Sequence, residues 1–292
     1  SVTDALDLRS LILQNLEAAI NATNDQQSYL HFVVVGGGPT GVETAGALCE
    51  LRTHVLPSDY PEIDFRKTRV TLIESGNSLL GGMSEFASAN ALKSLRKLGA
   101  EVLLNTAVAG YDGDKVMLRS GEILHSKTLI WSAGVKGVPI AGLPPDAVLP
   151  NHRIVVDDLN RVEGAPGVYI AGDLACMIDD EHPKGHPMVA QVAIQQGKNI
   201  AYNLINELKG KSLRSFRYTN PGSLATIGRN KAVADLPFIK FKGFTAWMVW
   251  LVIHLMTLVG FRNRVVVFVN WCVSYFSYDR AIRLIVRPFV KR

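Results

Sequence analysis

At 292 residues the chain can bury a sizeable core, as two compact domains or one large α/β unit, and 48% apolar with 20% charged residues excludes a disordered chain. Its three cysteines, Cys49, Cys176 and Cys272, lie far apart and form no CxxC pair, which argues against a disulfide framework, a zinc site or a dithiol centre; no metal site is expected. The net charge of +5 is unevenly held: residues 237–292 carry nine Lys/Arg against the single acid Asp279, and the rest carries 22 bases against 25 acids, a division that suits a membrane surface and not nucleic acid.

In chain order, Leu8, Leu11, Ile12, Leu16 and Ile20 recur on one helical face, so a helix is expected up to Asn21–Asp25. Leu30–Val35 reads as a strand that ends in Gly36-Gly37-Gly38-Pro39-Thr40-Gly41, with a helix following over Val42–Val55. A polar loop bearing Pro57 and Pro61 leads to a strand over Val70–Ile73, capped by Glu74. Ser84-Glu85 opens a helix that Gly99 closes. Glu101–Asn105 and the stretches around 116–118 and 128–131 read as further strands. This β-α-β-α-β order with a hairpin attached is that of a Rossmann-like dinucleotide-binding domain on a parallel sheet. Residues 133–150 are rich in Gly and Pro and read as a crossover. Short strands at Ile154–Asp157 and Val168–Ile170 and a helix from Met188 to Leu208 complete the body.

Gly36, Gly38 and Gly41 form a G-x-G-x-x-G between a strand and a helix. The first glycine permits the tight turn, the second lets a pyrophosphate approach the backbone, and the third lets helix pack on strand. Glu74, at the end of the next strand, is placed to accept from adenosine ribose hydroxyls and would repel a 2′-phosphate, which favours NADH over NADPH. Glu43 is expected in the first turn of the helix. There it either complements the helix N-terminus or stands beside a nicotinamide, and both readings remain open.

Val168-Tyr169-Ile170-Ala171-Gly172-Asp173 reads as a strand closing on a Gly-Asp turn, and Ala190-Gln191-Val192-Ala193-Ile194-Gln195-Gln196-Gly197 follows, with Gln191 and Gln195 on one helical face. These segments resemble those of type II NADH dehydrogenases, as do Ile130–Val135, Gly260-Phe261-Arg262-Asn263-Arg264, and Asn270-Trp271 to Tyr278-Asp279-Arg280. The resemblance spans essentially the whole chain. It implies a Rossmann-like NADH domain inserted in an FAD-binding domain, incomplete here, with a C-terminal amphipathic helical membrane-binding region. It implies that Gly36, Gly38, Gly41 and Glu74 bind NADH, that Ala133 and Gly134 lie near both cofactors, and that Gly172 and Asp173 bind FAD. Gln191, Val192, Ala193 and Gln195 would line the flavin and a membrane quinone, with Glu43 at the nicotinamide. The family's first glycine motif, for FAD, is not in this sequence, and about a hundred residues (a domain-sized piece) are expected to precede it.

The expected division is therefore 1–28 as a linking helix, 29–140 as the NADH domain, 141–236 as the second half of the FAD domain and 237–292 as the membrane region. In that last region Phe244–Gly260 is apolar over 17 residues, short of the ~20 a span requires. Phe268, Trp271, Tyr275 and Tyr278 then fall on one face, followed by Arg280, Arg283, Arg287, Lys291 and Arg292. A chain lying in the headgroups against anionic lipids is favoured over a single span or a buried helix pair, and His254 is expected as a packed histidine. The reaction implied is hydride transfer from NADH to FAD and on to a quinone without proton pumping, at the cytoplasmic face of a bacterial membrane more readily than at the mitochondrial inner membrane. A reductase with a soluble acceptor and a non-catalytic NADH-binding module are the rival readings. Paired apolar tails leave a homodimer open.

Overall fold

The computed structural model describes residues 2–22, 25–277 and 289. It divides into two compact units, Ser1–Ala133 with Gly222–Arg292, and Gly134–Pro221. The first unit opens with α1 (Val2–Asn21) and the single turn α2 (Gln26–Tyr29), which lead into β1 (His31–Val35). All five residues of β1 are buried, as a parallel strand covered on both faces requires.

From β1 the chain turns into α3 (Pro39–Glu50), which passes through a π-helical turn at Leu51–Val55 into the short α4 (Leu56–Asp59). Pro57 has no N–H to donate, and the wider turn ahead of it absorbs the break in the ladder. The helix expected over 42–55 is thus this α-to-π run. Next come β2 (Arg69–Ile73), α5 (Glu85–Lys97) and β3 (Glu101–Leu103), with Gly99 at φ +85° ending α5. An antiparallel meander of β4 (Val108–Tyr111), β5 (Lys115–Leu118) and β6 (Ile123–His125) precedes β7 (Thr128–Trp131). The parallel sheet runs in the order β3-β2-β1-β7. One of its faces packs on α1, α3 and α5, with Leu16, Phe32, Val34, Leu72 and Leu95 buried. The other packs on the meander through Val33, Ile73, Val116 and Leu118.

His31, 2% exposed, sits in this sheet with Nε2 2.8 Å from Thr71 Oγ1 and Nδ1 2.9 Å from the His125 carbonyl. Burial pushes its imidazole below the ordinary histidine value, and the His125 carbonyl opposes this only in part. A histidine held neutral in the fold contributes stability that is complete above the unfolded value of about 6.5 and is lost as pH falls through the folded value. The urea midpoint should therefore drop between pH 7.5 and pH 5.5, and drop less in His31→Gln. Equal drops in both proteins would remove His31 as a source of the pH dependence.

The second unit contains β8 (Ile154–Val156), β9 (Ala175–Met177) and α6 (Ala190–Leu208). β8 and β9 pair in parallel over a core of Ile154, Val156, Val162, Met177 and Phe216. The strand expected at Val168–Ile170 is not formed: only Tyr169 bridges, to Arg161, because residues 160–170 fold into a turn-rich loop in which Val162 bonds Val168 and Ile170 bonds Asn160. The strand lies instead after the Gly-Asp turn.

The chain then returns to the first unit with β10 (Ser223–Gly228), β11 (Lys231–Asp235) and β12 (Lys240–Gly243), an antiparallel sheet that the sequence reading does not anticipate. It packs on α3, where a Cβ on Gly46 would collide with the Ile227 carbonyl. Residues 222–236 thus group with the first unit, whereas the sequence reading ends a flavin domain at 236. Last come α7 (Phe244–Thr257) and α8 (Phe261–Ser277). Arg229 ties α8 down: it donates to the Ser274 carbonyl at 2.9 Å and to that of Tyr275, and lies 4.5 Å above the Tyr275 ring. Tyr278 of the aromatic stripe and the arginines expected beyond it lie outside the described residues. Among the described residues no helix is long and apolar enough to cross a membrane.

Candidate functional site

The glycine loop after β1 has a different reason for each glycine. Gly36 has φ +107°, donates to the Ile73 carbonyl at 2.8 Å, and would place a Cβ 2.9 Å from the Ala133 nitrogen. Gly38 is the N-cap of α3 at φ −70°, and a Cβ there would meet nothing within 4 Å. A Cβ on Gly41 would run into the Gly36 carbonyl oxygen. The loop is therefore closed behind by Gly36 and Gly41 and open in front at Gly38. With α3 pointing its unbonded N–H groups the same way, the open side suits an anionic group.

Glu74 lies in the same place. One carboxylate oxygen accepts the Gly37 N–H at 2.6 Å, and the other accepts the Gly76 N–H at 2.6 Å and Ser75 Oγ at 3.2 Å. A carboxylate has about four acceptor sites, so capacity remains for ligand hydroxyls. The end of β2 is thereby bonded to the loop that ends β1, which is the geometry a dinucleotide's ribose and pyrophosphate require together. Ala133 closes this site from β7: Trp131 Nε1 donates to its carbonyl at 2.6 Å, and Ser132 Oγ bonds the Val35 carbonyl at 2.7 Å.

Glu43 is five residues into α3, because the helix begins at Pro39. It falls in the second turn, not the first, where the helix-terminus effect has faded. Its Oε1 accepts from both the N–H and the hydroxyl of Thr226 on β10, each at 3.2 Å. A half-buried carboxylate is thus fixed in direction by a strand 183 residues away in sequence.

In the second unit, Gly172 has φ +74° and opens a 3-10 turn with Asp173 exposed within it. Gly172 donates to Gln196 Oε1 at 2.7 Å, and a Cβ on Gly172 would lie 3.1 Å from Ala193 Cβ. Gln196 is fully buried, yet its Nε2 has no partner among the described residues. A buried amide donor left unmade is costly, so a polar ligand group at this turn fits the donor set. Gln195 is spent on Thr219, donating to its carbonyl at 2.9 Å and accepting its N–H at 3.0 Å. Gln191 and Ala193 are half-buried and Val192 is buried at the start of α6. Gly134, at φ +70°, begins this unit, while Ala133 ends the stretch before it.

Beside α3, the helices α7 and α8 enclose an apolar cavity of about 670 Å³ lined by Leu51, Trp247, Leu251, Trp271 and Tyr275. The outward side is also apolar: Val259 and Phe261 are 86% and 79% exposed, and Val252, Met256 and Val269 half or more. His254 is exposed and stacked on Trp250 with ring centroids 3.9 Å apart, not packed in a core as expected. Cys49 is buried, which pushes its thiol up to about 11 and makes it inert. The sequence reading notes Gln196 beside Gln195 without a role and passes over Thr226. The i, i+4 spacing of Gln191 and Gln195 marks one face of α6, whereas Gly172 packs on the other.

The pyridine nucleotide-disulphide oxidoreductase family model matches residues 7–197, and that of the NDH2 C-terminal domain matches residues 221–278. The chain is 34% identical over 297 residues to type II NADH:quinone oxidoreductase Ndh of Mycobacterium tuberculosis, covering 96% of this chain and 62% of that protein. It is 32% identical to the mitochondrial internal alternative NAD(P)H-ubiquinone oxidoreductase A1 of Arabidopsis thaliana, over 94% of this chain and 57% of that one. It therefore spans about three fifths of these relatives. The solved structure of NDH2 from Plasmodium falciparum in complex with NADH superposes with a TM-score of 0.86 at 22% identity, over 98% of this chain and 74% of that one, which establishes the shared fold.

Proposed function

Given that the chain belongs to the pyridine nucleotide-disulphide oxidoreductases and, within them, to the type II NADH dehydrogenases, we propose that it oxidises NADH and, with FAD, passes two electrons to a quinone at a membrane surface. The observation that carries this reading is the bond of 2.6 Å between Glu74 and the glycine loop, which joins a ribose acceptor to a phosphate cradle. The N–H groups of the loop and of α3 hold the pyrophosphate, and Glu74 holds the adenosine ribose and disfavours a 2′-phosphate. In the other unit Gly172, Asp173, Val192, Ala193 and the free amide of Gln196 hold FAD, and Gln191 and Gln195 lie toward the quinone. When bound, the flavin supplies a hydride acceptor that also gives up electrons one pair at a time to the quinone. The exposed apolar side of α7 and α8, on a basic C-terminal region, supports attachment to a lipid surface.

Glu43 is the residue to which this reading gives the task of orienting the nicotinamide or holding a proton, and Thr226 keeps its carboxylate in one direction. Flavin content of the purified protein, read by absorbance before and after anaerobic NADH, tests the whole reading. A yellow protein that NADH bleaches and a quinone restores is expected; a colourless protein that binds NADH sinks the flavin part of the proposal. In the yellow protein Glu43→Gln keeps an acceptor for Thr226 while removing the charge. It should slow turnover about tenfold or more, at the low end of acid–base contributions, with NADH still bound. Unchanged turnover takes Glu43 out of the mechanism.

A further inference from the structure

The loop between β9 and α6 carries Asp179, His182 and His186, to which none of the roles above is assigned. Asp179 Oδ1 accepts the His182 backbone N–H at 2.6 Å and lies 2.9 Å from His182 Nδ1. The aspartate thus closes the turn and holds the imidazole beside it. His186 arrives one turn later: its Nε2 is 3.1 Å from Asp179 Oδ2, and the two histidine rings have centroids 4.4 Å apart. Each of the three residues offers one ligand atom, and these atoms lie within 4.8 Å of one another.

The second observation is His186 itself. It is 1% exposed and boxed edge-on by Phe216 and Tyr218, with centroids at 5.4 and 6.0 Å. Its Nε2 makes no directed hydrogen bond among the described residues, while the Met177 carbonyl stands beside the ring. A buried imidazole nitrogen left unmade carries a desolvation penalty that a ligand at that atom removes. Nε2 and Asp179 Oδ2 lie side by side without the geometry of a hydrogen bond to each other. Their separation of 3.1 Å is a little under the edge of a tetrahedron, about 3.3–3.6 Å, expected for nitrogen and oxygen ligands at ~2.0–2.2 Å from zinc.

We propose that Asp179, His182 and His186 form a binding site for a divalent transition metal of the zinc class, completed by water. Two imidazoles and one carboxylate are the ligand set such an ion takes, in preference to calcium or magnesium, which select oxygen. The metal closes the loop immediately ahead of α6, satisfies the buried His186, and fixes where α6 begins. Loading of the site is read directly and does not require activity.

The test is titration of the chelator-stripped full chain with Zn²⁺ alone by equilibrium dialysis, and with Co²⁺ read by its visible absorption. One ion per chain is expected, with the Co²⁺ band of a low-coordinate nitrogen and oxygen site. His182→Gln and Asp179→Asn, which change partly exposed side chains and leave the core in place, should each weaken Zn²⁺ at least about tenfold and abolish the Co²⁺ band. His125→Gln, an exposed histidine in the meander, should bind as the parent does. Less than half an ion per chain, or affinity retained within about twofold in both variants, overturns the assignment.

Discussion

Gly41→Ala is expected to cost about 3 kcal/mol of stability and to abolish measurable NADH binding, whereas Gly38→Ala keeps the fold and loses affinity alone. The two substitutions add the same methyl three residues apart. At Gly41 it meets the Gly36 carbonyl oxygen, with the Gly36 carbon at 3.0 Å and Ser132 Oγ at 2.9 Å. Both helix and turn are backbone there, so neither yields without moving α3 off β1. Overpacking of this kind costs ~1–3 kcal/mol or more, and the rigid neighbour puts it at the upper end. At Gly38 the backbone has φ −70°, which any residue adopts, and nothing lies within 4 Å of the new carbon. Stability should stay within about 0.5 kcal/mol, while a methyl on the open side of the loop holds a pyrophosphate away and weakens NADH at least about tenfold, or 1.4 kcal/mol. Thermal melts with NADH titrations measure both. Gly38→Ala with parental affinity would show that phosphates do not rest on this loop.

Arg153→Met should destabilise the second unit by about 2–4 kcal/mol. The guanidinium is 5% exposed and donates from one nitrogen to the Ala175 carbonyl at 2.6 Å and the His186 carbonyl at 3.0 Å. It stitches β9 to the loop before α6. Methionine keeps the apolar stem but leaves two buried carbonyls unmade, at ~1–3 kcal/mol each, partly offset because no charge then needs burying. Urea denaturation of parent and variant, followed by hydrogen exchange of residues 134–221, reads the loss and where it falls. A loss under about 1 kcal/mol would mean that relief from burying the charge cancels the two bonds.

Much of the nucleotide half is legible in the sequence because its signals are local. Five apolar residues, a glycine loop and an acid at the next strand end lie in order, and β1, β2 and α3 follow from them. β7 and β5, the middle strand of the meander, are legible for the same reason, whereas its outer strands β4 and β6 are not. What escapes is long-range. No periodicity announces that β10 lies against α3, since the contact depends on Gly46 lacking a Cβ and on the carbonyl of Ile227. The direction of Glu43 follows from that packing and is equally hidden. Gln196 looks like its neighbour Gln195 in the sequence; only the face that α6 turns toward Gly172 separates a spent amide from a free one. Asp179, His182 and His186 come together through the turn that Asp179 closes, which no periodicity announces.

The pairing of α3 with β10 also has a consequence in time. Glu43 with Thr226 and Glu50 with Arg229 join partners 183 and 179 residues apart, and the whole second unit is synthesised between them. At ~5–20 residues per second the ribosome needs on the order of ten to forty seconds to make that interval. During it the nucleotide helix has its sheet but not its cover, with Ala45, Leu48 and Cys49, all buried in the finished fold, left in part to the solvent or to a chaperone. Gly134–Pro221 forms its own core and can fold while the first unit waits. The cover on α3 therefore belongs to the last part of the first unit that the ribosome supplies.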